Sequence, residues 1–102
     1  MREISHKLAF THDAPATRYS DVFDPNNGGV QARVALGDAA LLDLAVAAAK
    51  KAQPAWAATN PQRRARVLMK FLELAQRDYD KLADRLAREH GKTIPDARGD
   101  IL

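Results

Sequence analysis

Alanine sets the first limit on what this chain can build. It fills 20 of the 102 positions. A buried methyl is worth about 0.8 kcal/mol, whereas a buried Leu or Phe contributes roughly 1.5–3 kcal/mol. The hydrophobic fraction of 46% therefore overstates the core an 11.2 kDa chain can assemble. Chains this short bury only about 60–70% of their unfolded surface, so the expectation is one domain at most, with a thin core. A mean hydropathy of −0.41 and 28% charged residues fit a polar surface. No apolar run approaches the ~20 residues that a bilayer requires, and the segment after Met1 lacks the apolar stretch of a secretory signal. The sequence reads as cytoplasmic.

With no cysteine, the chain has no disulfide, no thiolate–metal site and no sulfur nucleophile of its own. Its net charge of +3 comes from 16 basic and 13 acidic residues that alternate rather than form blocks. That pattern describes a solvated helix surface more than a nucleic-acid patch.

Residues 1–17 show no clear period. Pro15 and scattered polar residues point to a poorly ordered N-terminal arm with one short strand over residues 4–10. Extended structure follows from Tyr19. Val22 and Phe23 precede Pro25, and Asn26-Asn27-Gly28-Gly29 supplies residues that tolerate positive φ. Val30, Ala32, Val34 and Leu36 then alternate with Gln31, Arg33 and Ala35, as in a strand with one buried face. Together these segments predict a β-hairpin, which is marginal in water without a covering element.

Asp38 offers a cap for a helix from Ala39, with Leu41, Ala45, Ala48 and Ala52 on one face and Leu42, Val46 and Ala49 beside them. Pro54 predicts an end by Gln53, since an interior proline costs about 3 kcal/mol. Trp56 would then lie just past that end and fill the gap to the next helix. Asn60-Pro61 pairs a capping side chain with proline at the first helical position. Val67, Leu68, Phe71, Leu74 and Ala75 form a stripe that Tyr79, Leu82, Ala83 and Leu86 extend. Either Asp78 caps a second helix after a break near Arg77, or one helix runs to His90 over about 45 Å. Gly91 suits a left-handed helix end, with Arg88 and His90 near the negative pole of the dipole. Pro95, Ala97 and Ile101 open a further helix that Leu102 cuts off, so a fragment of a longer protein is expected. The fold class is α+β, mainly helical: one β-hairpin over the start of residues 18–102, followed by three to four α-helices.

Candidate sites have plain structural readings. His6, His12 and His90 share no ligand spacing on one helix face. Gly28-Gly29 matches no phosphate-binding loop and precedes a strand, so it reads as turn chemistry. Arg63, Arg64 and Arg66 could meet an anion, but cations at a helix start oppose its dipole, and a solvated or interface face is favoured. Asp78, Asp80, Asp84 and Glu89 interleave with Lys81, Arg85 and Arg88 as surface pairs. Lys92 has no apolar neighbour or second cation in sequence to make its amine reactive. No catalytic, cofactor-binding or metal residue is assigned.

The run DVFDPNNGGVQARVALGDAALLDLAVAAAKKAQPAWAATNPQRRARVL and the later REHGKTIPDARGDIL resemble the N-terminal part of the aldehyde dehydrogenase superfamily, above all its CoA-acylating methylmalonate-semialdehyde dehydrogenases. The likeness rests on the strand-turn-strand from Asp21 to Leu36, the Ala-rich helix ending in QPAWAAT, and Glu89-His90-Gly91 followed by Lys92-Thr93. It covers about four-fifths of the chain and departs at HKLAFTHDAP, where relatives carry a hairpin with a Gly-containing turn. The resemblance implies two helices on either side of Asp78 and a place in the α/β NAD-binding domain. It also implies a parent enzyme that oxidises an aldehyde on a cysteine, passes hydride to NAD and acylates CoA. The family's catalytic and cofactor positions lie outside the matched segment, so no cofactor is expected in this chain. Its partners would be the remainder of the parent or another copy of itself. Two further readings belong to other classes: a self-associating helical module pairing through Leu68, Phe71, Leu82 and Leu86, and a weak nucleic-acid binder.

Overall fold

The computed structural model describes residues 1–8 and 16–102. In chain order it holds β1 (Arg2–Ile4), β2 (Arg18–Phe23), β3 (Val30–Leu36), α1 (Ala39–Ala58), α2 (Pro61–Arg77), α3 (Tyr79–His90) and α4 (Ile94–Ile101). These fall into two compact units. One contains the three strands and α1; the other contains Asp24–Gly29 with α2, α3 and α4.

In the first unit the strands run in the order β1-β3-β2. The expected hairpin is present: β2 lies antiparallel to β3, with Arg18 opposite Leu36 and Val22 opposite Ala32. Phe23 pairs with Val30, so Gln31 is an extra residue and the ladder bulges there. Its Nε2 donates to the Phe23 carbonyl at 3.3 Å. The hairpin gains a third strand, because β1 pairs in parallel with β3 in a register that sets Glu3 beside Arg33. The short strand expected over residues 4–10 thus sits at Arg2–Ile4. Residues 9–15, including Phe10, His12 and Pro15, lie outside the described residues.

Burial in β3 also differs from the alternation. Ala32 and Ala35 are covered, at 1% and 6% exposure, while Val30 and Leu36 stay exposed. Side chains three apart on a strand point to opposite faces, so both faces are closed at mid-strand, and only over methyls. Ala35 lies beside Tyr19, and Ala32 lies between Arg2 and Val22. These longer neighbours shield a methyl but leave the larger end residues uncovered. Arg33 stacks over the Tyr19 ring at 4.7 Å, a contact favoured by the ring quadrupole.

Asp38 starts α1 as expected: the Leu41 N–H donates to its Oδ1 at 2.8 Å. Leu41, Ala45 and Ala48 are half-buried, whereas Ala52 is exposed. The helix does not stop by Gln53 but continues through Pro54 to Ala58. Proline removes one donor and crowds one carbonyl, while Ala52, Ala55, Ala57 and Ala58 on either side are the strongest helix formers. Trp56 consequently lies in the last turns of α1 rather than beyond its end, and it is exposed.

In the second unit Asn60 caps α2, its Oδ1 accepting from the Gln62 N–H at 2.8 Å. The break falls at Asp78, as the family resemblance implies. Its side chain makes no capping bond to α3. Instead it takes Arg77 in a two-pronged pair, Nη2 to Oδ2 at 2.8 Å and Nε to Oδ1 at 3.2 Å, so the guanidinium next in sequence outcompetes the helix amides. Gly91 ends α3 at φ 85°, its N–H donating to the Ala87 carbonyl at 2.8 Å. Thr93 caps α4 through a 3.4 Å bond from the Asp96 N–H.

Helices α3 and α4 meet through Ala83, Ala87 and Ala97, with Leu86 and Ile101 packed against them. Tyr79 donates its hydroxyl to the Arg98 carbonyl at 2.7 Å, Arg98 reaches Asp80 at 3.2 Å, and Lys92 pairs with Asp100. The Asp24–Gly29 turn belongs to the same unit. Its Asp24 N–H donates to the Gly29 carbonyl and its Gly28 N–H to the Asp24 carbonyl, both at 2.7 Å. A Cβ on Gly91 would lie 2.8 Å from Pro25 Cγ.

Among the described residues the buried core is five alanines, Ala32, Ala35, Ala83, Ala87 and Ala97.

Two glycines give opposite tests. Gly91→Ala places a Cβ in the left-handed region and against Pro25, and should lower the unfolding free energy by about 1–3 kcal/mol. Gly99→Ala, inside α4 with nothing within 4 Å of the new methyl, should raise it by about 0.5–1 kcal/mol. Urea titrations check both, and equal midpoints for the two variants would contradict this packing.

Candidate functional site

The polar residues singled out in the sequence are mostly engaged with one another. Asp84 pairs with Arg88 at 2.9 Å one turn away, Asp80 with Arg98 and Asp78 with Arg77. Exposed pairs of this kind are screened by solvent and add little to stability. Glu89 and His90 are exposed at the end of α3. The Lys92 amine is held by Asp100. Arg63 and Arg66 are exposed, while Arg64 is half-buried, with its Nε shielded from solvent and without a hydrogen-bond partner among the described residues. Gly28, at φ 76°, and Gly29, whose N–H donates to Asn27 Oδ1 at 2.8 Å, serve the turn. His6 lies in the first unit and His90 in the second. Among the described residues no three His, Asp or Glu side chains gather to hold a metal ion.

A feature that the sequence did not signal is an open cavity of about 680 Å³ in the first unit. His6, Leu8, Arg18, Asp38, Leu41 and Leu42 are among its lining. The β2–β3 register brings Arg18 to the end of β3, where its Nη2 donates to the Gly37 carbonyl at 3.2 Å. Asp38 is committed to the α1 cap. His6 Nε2 is shielded and finds no partner among the described residues. Among the described residues no hydroxyl or amine side chain lines the cavity, so these residues offer no nucleophile for His6 to activate. No spacing rule connects residues 6, 18 and 38: Arg18 arrives by β2–β3 pairing and Asp38 as the cap of α1.

Comparison with known proteins gives the arrangement its context. Residues 10–102 match the model of the aldehyde dehydrogenase family. The chain belongs to that family. It is 39% identical over 84 residues to a malonate-semialdehyde dehydrogenase of Pseudomonas aeruginosa, a match that covers 82% of this chain and 17% of the relative. It is 38% identical over 89 residues to the mitochondrial acylating methylmalonate-semialdehyde dehydrogenase of Arabidopsis thaliana, covering 87% and 15%. The methylmalonate-semialdehyde dehydrogenase of Oceanimonas doudoroffii superposes with a TM-score of 0.94 at 33% identity over 99% of this chain and 21% of the other. A Sinorhizobium meliloti protein described as a methylmalonate-semialdehyde dehydrogenase, solved with NAD, gives 0.90 at 51% identity over 98% and 21%. The aldehyde dehydrogenase chain described here therefore spans about a sixth to a fifth of the length of these relatives. Its backbone superposes on theirs over 98–99% of the chain. Among the described residues no helix is long and apolar enough to cross a membrane.

Arg77 holds the Asp78 carboxyl below its ordinary range, chiefly by hydrogen bonding and further by charge. A carboxylate depressed in the folded state stabilises the fold above its unfolded pKa and loses that contribution as pH falls through the folded value. Arg77→Ala should therefore move the Asp78 titration upward, as followed by carbon NMR. An unmoved midpoint would show that the pair does not set it.

Proposed function

We propose that this chain is a scaffold portion of an NAD-dependent, CoA-acylating dehydrogenase for malonate or methylmalonate semialdehyde, without activity by itself. The observation that carries this reading is the match of nearly the whole chain, in sequence and in backbone, to about a fifth of semialdehyde dehydrogenases. The chemistry agrees. Oxidation through an enzyme-bound thioester needs an attacking thiolate, and this chain has no cysteine. Asp78, Asp80, Asp84 and Lys92 are occupied in ion pairs, and no described residue lining the cavity carries a hydroxyl or amine. What the residues do supply is structure: a strand pair closed over alanine methyls and helices set by Asn60, Asp78 and Gly91. The remainder of the enzyme would furnish the thiol, the dinucleotide pocket and the acyl-accepting CoA site, and would cover the apolar faces left open here.

A chimera tests this. The chain should replace the matching segment of the Pseudomonas aeruginosa malonate-semialdehyde dehydrogenase and leave semialdehyde-dependent NADH formation with CoA within about tenfold of the parent. The 102-residue chain alone should form no NADH under the same conditions. A soluble, assembled chimera without activity, or turnover by the isolated chain, would overturn the proposal.

A further inference from the structure

The turn between β2 and β3 carries chemistry that its structural role does not use. Asn27 is followed by Gly28, at φ 76°, and residues 25–30 are all exposed. When a backbone nitrogen attacks the carboxamide of the asparagine before it, a cyclic imide closes and ammonia leaves. The step needs a successor with an N–H and little bulk. Gly28 has both, since no described atom beyond its chain neighbours lies within 4 Å of the place a Cβ would take. Two hydrogen bonds divide control of the attack. The Gly29 N–H donates to Asn27 Oδ1 at 2.8 Å, which polarises the carbonyl and meets the negative charge that the oxygen gains. The Gly28 N–H donates to the Asp24 carbonyl at 2.7 Å and so holds the proton that the attacking nitrogen must lose.

We propose that Asn27 is a self-modification site, converted to aspartate and isoaspartate through a cyclic imide when the Asp24–Gly29 turn opens. The Gly28 nitrogen bonds to Asn27 Cγ, the Cγ–Nδ2 bond breaks, and the nitrogen's proton departs with the amide as ammonia. Water then opens the ring at either carbonyl, and nothing is oxidised or reduced. Loss of the Gly28–Asp24 bond is the gate, because an exposed turn held by a few backbone bonds opens far more often than the whole fold. The other two asparagines of the chain delimit the site. Asn60 has the same kind of side-chain bond, its Oδ1 accepting from the Gln62 N–H at 2.8 Å, but Pro61 has no N–H and cannot attack. Asn26 is followed by Asn27, whose Cβ crowds the nitrogen. Either product adds a negative charge to the turn that already holds Asp24. The isoaspartyl form also lengthens the backbone by one carbon between residues 27 and 28, so the Gly28–Asp24 and Gly29–Asn27 bonds cannot both be restored and the change is one-way. The chemistry is the chain's own and stands whether or not the dehydrogenase reading does.

The folded chain, incubated in water labelled with heavy oxygen at neutral and at mildly alkaline pH and then cut with trypsin, reads the site by mass. Label should enter the peptide of residues 19–33 at position 27, with isoaspartate in the majority and faster at the higher pH, while Asn26 and Asn60 stay amides. Urea opens the gate and should speed conversion roughly tenfold or more. In urea, where folding cannot interfere, Gly28→Ala should slow conversion at least about tenfold, and Asn26→Ser should leave it unchanged. Label at position 26 or 60 instead, a folded chain still unconverted at alkaline pH when the denatured chain has fully reacted, a folded rate equal to the denatured one, or indifference to Gly28→Ala would each overturn the proposal.

Discussion

Close approach over alanine methyls holds each unit of this chain together, and its other properties follow from that. Where α3 meets α4, Ala83, Ala87 and Ala97 leave no side chain to keep the helix backbones apart. The Tyr79 hydroxyl and the Asp80–Arg98 pair can therefore reach across and be satisfied. In the sheet, Ala32 and Ala35 play the same part between Arg2, Tyr19 and Val22. The consequence is energetic. Five buried methyls contribute on the order of 4 kcal/mol, little against the ordering of a hundred residues. The larger apolar side chains, Leu42, Leu44, Val46 and the α2 stripe, remain outside.

An alanine core makes geometry depend on punctuation. Small residues let helices approach but do not select a register, so caps and turns must. Asp38, Asn60 and Thr93 each accept a helix-start N–H through a side-chain oxygen. Gly91 ends α3 in the left-handed region, where an added Cβ would meet Pro25. The same logic separates scaffold from chemistry. Asp78, Asp80, Asp84 and Lys92 are each tied to a neighbour in sequence, on the same helix or on the next, and the family match places the chain among proteins about five times its length.

The helix starts and the Gly91 stop were legible because each rests on one residue's local chemistry. The hairpin was legible because its turn and its alternation agree. Other features depend on competition between neighbours. Pro54 breaks helices in general, yet four flanking alanines carry α1 past it. Asp78 has the composition of a cap, yet Arg77 is adjacent and takes both of its oxygens. β1 carries three residues and no period, so only its partner β3 reveals it. The α2 stripe is amphipathic in sequence, but amphipathicity says which face is apolar and not whether anything covers it. The cavity around His6 was invisible for a similar reason, since Arg18 arrives there by strand pairing and Asp38 as the cap of α1.

The central claim is that order in this chain comes from alanine-mediated contact and not from its large apolar residues. Native-state hydrogen exchange on the dilute, monomeric chain tests it directly. Amides of α3 around Ala83 and Ala87 and those of α4 should exchange slowest in the second unit, while α2 amides open at a small fraction of the global free energy. Protection in α2 equal to or greater than that in α3 would contradict the account, because it would mean that Leu68, Phe71 and their neighbours stabilise the fold while exposed.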